Sequence, residues 1–231
     1  NRTQGTASGP VSFMKIFDAA TEHVKQGGKR RGANMGILNI DHPDIEEFID
    51  CKRTEGNLKN FNISIGITDA FMQAVEQDKN WSLIHPNTHK IVRNTKAKEL
   101  WNLIVESAWS SGDPGLLFLD TINSANPTPP IGKIESTNPC GEVPLLPYES
   151  CNLGSINLSK YILENDNAEI SLDWANLEKT VTVAVRFLDD VIEVNHYLAP
   201  EIKEIVLGNR KIGLGVMGWA ETLSILEIPY E

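Results

Sequence analysis

Apolar and polar positions alternate most regularly between Phe61 and Ile67, in the order Phe61-Asn62-Ile63-Ser64-Ile65-Gly66-Ile67. Successive side chains of a β-strand point to opposite faces, so this pattern predicts a strand with one buried face. A second period, close to 3.6 residues, occurs downstream of Asp173, where apolar residues recur as Leu177, Val181, Val185, Leu188 and Ile192. That spacing predicts the longest helix of the chain, beginning at Asp173.

The same two periods predict a mixed α/β protein throughout. Further helices are also predicted. One runs from Ser8-Gly9-Pro10 to Gly27-Gly28, and a short one contains Ile45, Phe48 and Ile49. Another follows a Thr68 cap, and another runs from Thr95 to Gly112. Strands are predicted at Ala33–Ile40, Leu116–Leu119, Asn152–Leu158 and Arg210–Gly218, with a hairpin of Trp81–Ile84 and His89–Val92. The proline-rich residues 125–139 are predicted to form an irregular connection.

Composition narrows the class of protein. The chain has 231 residues, 41% hydrophobic content, a net charge of -10 and three cysteines. An acidic chain is a poor general nucleic-acid binder, because such binding depends on neutralising phosphates. No apolar run approaches the roughly 20 residues of a membrane helix, and we expect a cytoplasmic protein without a membrane partner. Three cysteines do not make a disulfide scaffold, so reduced thiols with separate roles are expected.

One basic segment offers a local site for an anion. Residues 25–32 read Lys25-Gln26-Gly27-Gly28-Lys29-Arg30-Arg31-Gly32 and combine four cations with three glycines. Glycines free backbone amides to face a ligand, and arginine has a planar fork that suits phosphate. A solvated basic loop after a helix explains the same residues, and the pattern alone does not decide between the two.

The candidate chemistry lies in Asn138-Pro139-Cys140-Gly141-Glu142. If this segment is extended, Asn138, Cys140 and Glu142 project to one side and present an amide, a thiol and a carboxylate together. A second cysteine, Cys151, follows in Ser150-Cys151-Asn152. The cysteine spacing does not fit a zinc site, and we expect no metal centre. A hydrolase with a distant histidine, or two buried structural thiols, remains compatible with these residues.

Several separated motifs resemble the catalytic chains of ribonucleotide reductases, most closely the adenosylcobalamin-dependent class II enzymes. Two of them surround the cysteines, at Ser136–Leu145 and Ser150–Leu158. The others, in the same order along the chain as in the family, are Ala7–Phe13, Lys25–Met35, Gly112–Leu116 and Arg210–Gly218. The resemblance implies part of a ten-stranded α/β barrel with a central finger loop, here at about 136–145. Residues 1–231 would be the central part of that barrel domain, truncated at both ends.

The resemblance also implies the roles of four residues. Cys140 would carry a thiyl radical that abstracts the ribose 3′-hydrogen, and Glu142 would accept the 3′-hydroxyl proton. Asn138 would hold the ribose by hydrogen bonding. Cys151 would be one of two cysteines that reduce the 2′ position and form a disulfide, which a thioredoxin-like thiol reductant reopens. Cys51 does not match the second reducing cysteine, and we expect it to be a partly buried free thiol.

Residues 25–33 resemble the specificity loop of the family, which senses a deoxynucleotide or ATP effector and contacts the substrate base. The matching residues are Lys25, Gln26, Gly27, Gly28, Arg30, Arg31 and Ala33. The helix beginning near Ser8 would lie at a homodimer interface. The family's second reducing cysteine and its substrate-phosphate loop match no residue of this chain, so we expect the isolated segment to be inactive.

Two alternatives remain open at this stage. The first is a class I catalytic chain, which receives its radical from a separate metal-containing subunit. The second is a segment that acts only as a nucleotide-binding regulatory module, for which Lys25 to Arg31 would suffice. The sequence also leaves open whether the substrate is a ribonucleoside diphosphate or triphosphate.

Overall fold

The computed structural model describes residues 8–24, 32–54, 56–165 and 169–230. These residues form two compact units, and the boundary lies between Pro147 and Tyr148. Both units mix helices and strands, which confirms the predicted α/β class. Among the described residues, no helix combines the length and the apolar character required to cross a membrane.

The first unit is built around a parallel sheet with strand order β1-β2-β5. Its elements are α1 (Gly9–His23), β1 (Asn34–Asn39), α2 (Ile45–Asp50), β2 (Phe61–Ile67), α3 (Asp69–Glu76), β3 (Asn80–Ile84), β4 (Ile91–Lys96), α4 (Ala97–Ser111), β5 (Gly115–Phe118), α5 (Leu119–Ser124), β6 (Ser136–Thr137) and β7 (Pro144–Leu145). Strand β2 is central, with Met35 of β1 opposite Asn62 and Gly115 of β5 opposite Ser64.

The alternation in β2 places one face of the sheet in the core. Phe61, Ile63, Ile65 and Ile67 are all buried. They belong to a cluster that α2, α3 and α4 complete with Ile45, Phe48, Ile49, Phe71, Leu100 and Ile104. The opposite face is not uniformly exposed, because Ser64 is buried as well whereas Asn62 is exposed. Strand β2 therefore has an apolar face in the core and a polar face that begins at Asn62.

Local capping chemistry sets several helix ends as predicted. The Thr68 side chain accepts a hydrogen bond from the Phe71 N–H at the start of α3. Gly112 ends α4 in the left-handed region, at a φ of 82°.

Two predicted helix ends are wrong. Helix α4 begins at Ala97, because Thr95 pairs with Trp81 in the β3–β4 hairpin. Helix α1 ends at His23, since Val24 is already extended, and Gly27 and Gly28 lie outside the described residues.

The second unit pairs β8 with β11 in a parallel arrangement against α6. Its elements are β8 (Asn152–Asn157), a 3-10 turn (Leu158–Tyr161), β9 (Ile162–Glu164), β10 (Ile170–Leu172), α6 (Trp174–Val194), α7 (Pro200–Asn209), β11 (Ile212–Met217) and α8 (Trp219–Ile225). The Asp173 carboxylate accepts from the Asn176 N–H, which confirms the predicted start of the long helix. The sequence pattern did not predict the antiparallel β9–β10 pair.

Candidate active site

The segment with the candidate chemistry is a β-hairpin. Strands β6 and β7 pair antiparallel, with Ser136 opposite Leu145 and Thr137 opposite Pro144. Between them the Gly141 N–H donates to the Asn138 carbonyl at 3.0 Å, which closes a four-residue turn. Gly141 has a φ of 88°, in the left-handed region where a side chain is strained. The hairpin therefore carries Cys140 and Glu142 at its turn rather than along a strand.

The expectation of an extended Asn138–Glu142 segment is wrong. The period-two argument fails because the chain reverses direction within these residues, so their proximity comes from the turn. The sequence does contain the relevant signal, since asparagine, proline and glycine at positions one, two and four are typical of a type I turn. The Asn138 side chain strengthens that turn, because its Oδ1 accepts from the Val143 N–H at 3.0 Å.

The hairpin lies over the polar side of the β1-β2-β5 sheet. The Asn62 Nδ2 donates to the Pro139 carbonyl at 2.5 Å and connects the turn to strand β2. The cavity between turn and sheet has a volume of about 500 Å³. Its described lining residues are Met35, Asn62, Ile63, Ser64, Ser111, Gly112, Asp113, Gly115, Leu116, Leu117, Pro139, Cys140 and Gly141. No histidine is among them, so nothing on this wall supports a Cys-His hydrolase.

Two of the predicted groups are accessible to a ligand. Cys140 is a free cysteine and is exposed at the cavity, and Glu142 is exposed in the same turn. Asn138 is half-buried, and the hydrogen bond to Val143 occupies its Oδ1 while leaving the Nδ2 without a partner among the described residues. The turn therefore offers a thiol, a carboxylate and an amide donor within five successive residues.

Two asparagines hold the chain that leads into the hairpin. Asn123 Nδ2 donates to the carbonyls of Leu119 and Ile134, both at 2.9 Å, and its Oδ1 accepts from the Ile134 N–H at 2.8 Å. The buried Asn126 donates to the Gly132 carbonyl at 2.9 Å. The proline-rich connection is thus irregular but internally hydrogen-bonded. Sequence reasoning missed Asn62, Asn123 and Asn126, since an asparagine that bonds a distant backbone leaves no periodic pattern.

Cys151 lies in the second unit, immediately before β8. It is a half-buried cysteine on a recess of about 230 Å³. Lys211 also lines this recess, and its Nζ lies 2.6 Å from the Glu149 Oε2. The Glu149 side chain is fully buried and also accepts from Asn209. A buried carboxylate needs such partners, so the pair fixes the backbone two residues before Cys151.

Most of the predicted specificity loop cannot be placed, because Lys25, Gln26, Gly27, Gly28, Arg30 and Arg31 lie outside the described residues. Ala33 is described and is exposed directly before β1. One hydrogen bond joins the two flanks of residues 25–31, because the Asn34 Nδ2 donates to the Thr21 Oγ1 at 2.8 Å. The end of α1 and the start of β1 are therefore tied together at the base of this loop.

Cys51 is chemically different from the other two cysteines. It is buried at the end of α2, and burial raises the pKa of its thiol to about 11. A thiol that stays protonated is a weak nucleophile, and Cys51 is more deeply buried than the partly buried free thiol that we expected. Among the residues that the structure describes, no group of three or more His, Cys, Asp or Glu side chains could hold a metal ion.

Comparison with known proteins shows which family the sequence of this chain matches. The family model of the ribonucleotide reductase barrel domain matches residues 1–231. The vitamin B12-dependent ribonucleoside-diphosphate reductase of Thermoplasma acidophilum is 58% identical over 229 residues, which are 99% of this chain and 29% of that protein. The enzyme of the same name from Mycobacterium tuberculosis strain H37Rv is 55% identical over 230 residues, 99% of this chain and 32% of that protein.

A more distant relative carries a different name. The ribonucleoside-diphosphate reductase subunit alpha of Chlamydia muridarum is 30% identical over 263 residues, 99% of this chain and 25% of that protein. The chain therefore spans between 25% and 32% of the length of these three relatives. Of these three, the two relatives named for vitamin B12 share more identical residues with this chain than the alpha subunit does.

Proposed function

This chain belongs to the ribonucleotide reductase family, and from that premise we propose that it is the catalytic segment of an enzyme that reduces ribonucleotides to deoxyribonucleotides. It would form the central part of the barrel domain, with residues 136–145 as the finger loop. The observation that carries the proposal is the exposed Cys140 thiol at the turn of a hairpin that is bonded to the sheet beneath it. A buried, purely structural cysteine would not occupy that position.

In the proposed reaction, Cys140 acts as a radical. Its sulfur takes the hydrogen from C3′ of the ribose, so that an S–H bond forms, the C3′–H bond breaks and the unpaired electron moves to C3′. Glu142 accepts the proton of the 3′-hydroxyl as general base, a role that its exposure in the same turn supports. The Asn138 Nδ2 would donate a hydrogen bond to a ribose hydroxyl.

Reduction of C2′ would then use Cys151 and a second cysteine of the parent protein. The 2′-hydroxyl leaves as water, the two thiols supply two electrons and two protons, and a disulfide forms between them. Cys140 would then return the hydrogen to C3′ and Glu142 the proton to the 3′-oxygen, which restores the radical on the Cys140 sulfur. An external dithiol of the thioredoxin type would reopen that disulfide by exchange. The recess beside Cys151 supports this role, because a thiol must be reachable for exchange to occur.

We propose adenosylcobalamin as the cofactor, since the relatives at 55% and 58% identity are named vitamin B12-dependent, whereas the alpha subunit is 30% identical. When bound, adenosylcobalamin supplies the carbon radical that oxidises a thiol. The exposure of Cys140 fits this requirement, because a buried thiol could not meet a separate cofactor. Among the described residues, Cys140 is the one we propose to face it.

The parent enzyme would also bind a nucleotide effector. We propose that Lys25, Gln26, Gly27, Gly28, Arg30, Arg31 and Ala33 form the loop that relays effector identity to the substrate base. Such relays are coupling free energies of about 1–3 kcal/mol between two sites. The exposed apolar side chains of α1, Phe13, Ile16 and Phe17, support a homodimer contact at this helix.

The test uses the full-length parent protein, because this chain spans 29% and 32% of its B12-named relatives and we expect it not to turn over alone. The enzyme is incubated with a ribonucleoside diphosphate or triphosphate and a dithiol, with and without adenosylcobalamin. Deoxynucleotide that forms only with the cofactor supports the proposal. Deoxynucleotide that forms without it and needs a second, metal-containing subunit would assign the chain to class I.

A further inference from the structure

Strand β2 carries an exposed polar residue at the edge of the Cys140 cavity. Asn62 lies on the face of β2 opposite the buried Phe61 and Ile63, and it is exposed. Its neighbours along the cavity wall include Pro139 and Cys140, which follow it by 77 or more positions in the sequence. The fold therefore brings a sheet residue and the thiol-bearing turn together across a long separation.

The contact between them is a single hydrogen bond. The Asn62 Nδ2 donates to the Pro139 carbonyl at 2.5 Å. That carbonyl and the Cys140 N–H belong to one planar peptide unit, so holding the oxygen also orients the Cα of Cys140. The side chain of Asn62 thus acts on the peptide bond directly before the reactive residue.

The other hydrogen bonds of the turn do not have this effect. The Gly141 N–H to Asn138 carbonyl bond, the Val143 N–H to Asn138 Oδ1 bond and the Thr137 Oγ1 to Asn138 carbonyl bond all lie within the hairpin. They maintain the shape of the turn but not its place over the sheet. Among the described residues, the Asn62 bond is the one hydrogen bond that joins residues 138–142 to another element.

We propose that Asn62 is a positioning residue that sets the placement of the Cys140 sulfur over the sheet. This rests on the proposed function, because position matters most where the thiol must approach one C–H bond. Reacting atoms must lie within about 3–3.5 Å, and a misplacement of about 1 Å can cost about 10²-fold in rate. Asn62 itself need not touch the substrate.

The test compares variants of the full-length enzyme. Asn62→Ala removes the donor, and Asn62→Asp keeps the shape but replaces the donor with an acceptor. Both are expected to lower kcat by about tenfold to a hundredfold with little change in KM. Asn62→Gln retains an amide donor and is expected to recover part of the loss. Asn94→Asp is the matched control, since Asn94 is also exposed and hydrogen-bonded to a side chain, that of Ser82, in the β3–β4 hairpin.

A second readout separates positioning from a general structural defect. The readout is the 3′-deuterium isotope effect on product formation, measured with the hydrogen- and deuterium-bearing substrates in direct competition. Slower hydrogen abstraction increases this isotope effect, whereas a smaller folded fraction of the enzyme leaves it unchanged. The proposal is overturned if Asn62→Ala and Asn62→Asp turn over normally, if their isotope effect is unchanged, or if only KM rises. If Cys140→Ala in the same assay also makes product at the parent rate, the proposed function fails instead.

Discussion

At the scale of single residues, the three cysteines occupy different chemical environments. Cys140 is exposed at a turn, Cys151 is half-buried beside a recess, and Cys51 is buried in the core of the first unit. Nucleophilic attack and disulfide exchange require a reachable thiol that can lose its proton. Burial and the raised pKa therefore make the Cys51 thiol a poorer nucleophile than an exposed thiol of ordinary pKa.

The Cys51 thiol should resist alkylation in the folded protein. Burial raises its pKa from 9.0 to about 11, so at pH 8 almost all of it is protonated. In the full-length enzyme, the rate of Cys51 modification by iodoacetamide should remain low at pH 8 and rise steeply towards pH 11. Peptide mass spectrometry measures this site by site, and the urea-unfolded protein is the control. Equal rates in the folded and unfolded protein at pH 8 would contradict the assignment.

The raised pKa of Cys51 also makes the free energy of unfolding depend on pH. The folded state retains the Cys51 proton up to a higher pH than the unfolded state does, so the stabilising contribution is complete below about pH 9. It is lost as the pH rises from about 9 to about 11. Cys51→Ala should remove this part of the pH dependence of the free energy of unfolding.

At the scale of elements, the β6–β7 hairpin depends on one backbone conformation. Gly141 has a φ of 88°, and a Cβ added there would meet nothing within 4 Å. The reason for glycine at this position is therefore backbone conformation rather than lack of space. Gly208, within α7, is a matched control for Gly141. A Cβ added there also meets nothing within 4 Å, but the residue has no positive φ.

Alanine at these two glycines should have opposite effects. Gly141→Ala should destabilise the full-length enzyme by about 1–2 kcal/mol and reduce turnover, because left-handed backbone strains any residue with a Cβ. Gly208→Ala should be neutral or stabilise by about 0.5–1 kcal/mol, because alanine favours a helix. Thermal denaturation and a turnover assay measure both. A Gly141→Ala variant that matches Gly208→Ala in both assays would show that the turn has another conformation.

Elements with a strong period were predictable from the sequence, and those made by single contacts were not. Strand β2 was predicted because burial selects one face over several residues. Helix α6 was predicted from apolar residues at helical spacing, of which Leu188 and Ile192 are buried whereas Val181 and Val185 are exposed. The start of α4 was misplaced because Thr95 and Lys96 pair with β3, a tertiary contact that helix periodicity does not report. The segment 138–142 was interpreted as extended, although its asparagine, proline and glycine are turn residues.

At the scale of the whole molecule, the family and the roles proposed for four residues followed from separated motifs rather than from any one of them. The match over residues 1–231 confirms the family. The roles of Asn138, Cys140, Glu142 and Cys151 are proposals, and the substrate experiments test them. Asn62 could not be recognised in advance, since only the folded chain shows that its side chain reaches the Pro139 carbonyl.

The central claim is that the Cys140 sulfur removes the hydrogen from C3′ of the ribose. The most direct measurement gives the full-length enzyme equal amounts of a ribonucleotide with hydrogen and with deuterium at C3′, and follows both deoxynucleotides by mass spectrometry. The account predicts slower conversion of the deuterated substrate and no product from Cys140→Ala, with effector binding retained. Equal conversion of both substrates, together with product from Cys140→Ala, would contradict it.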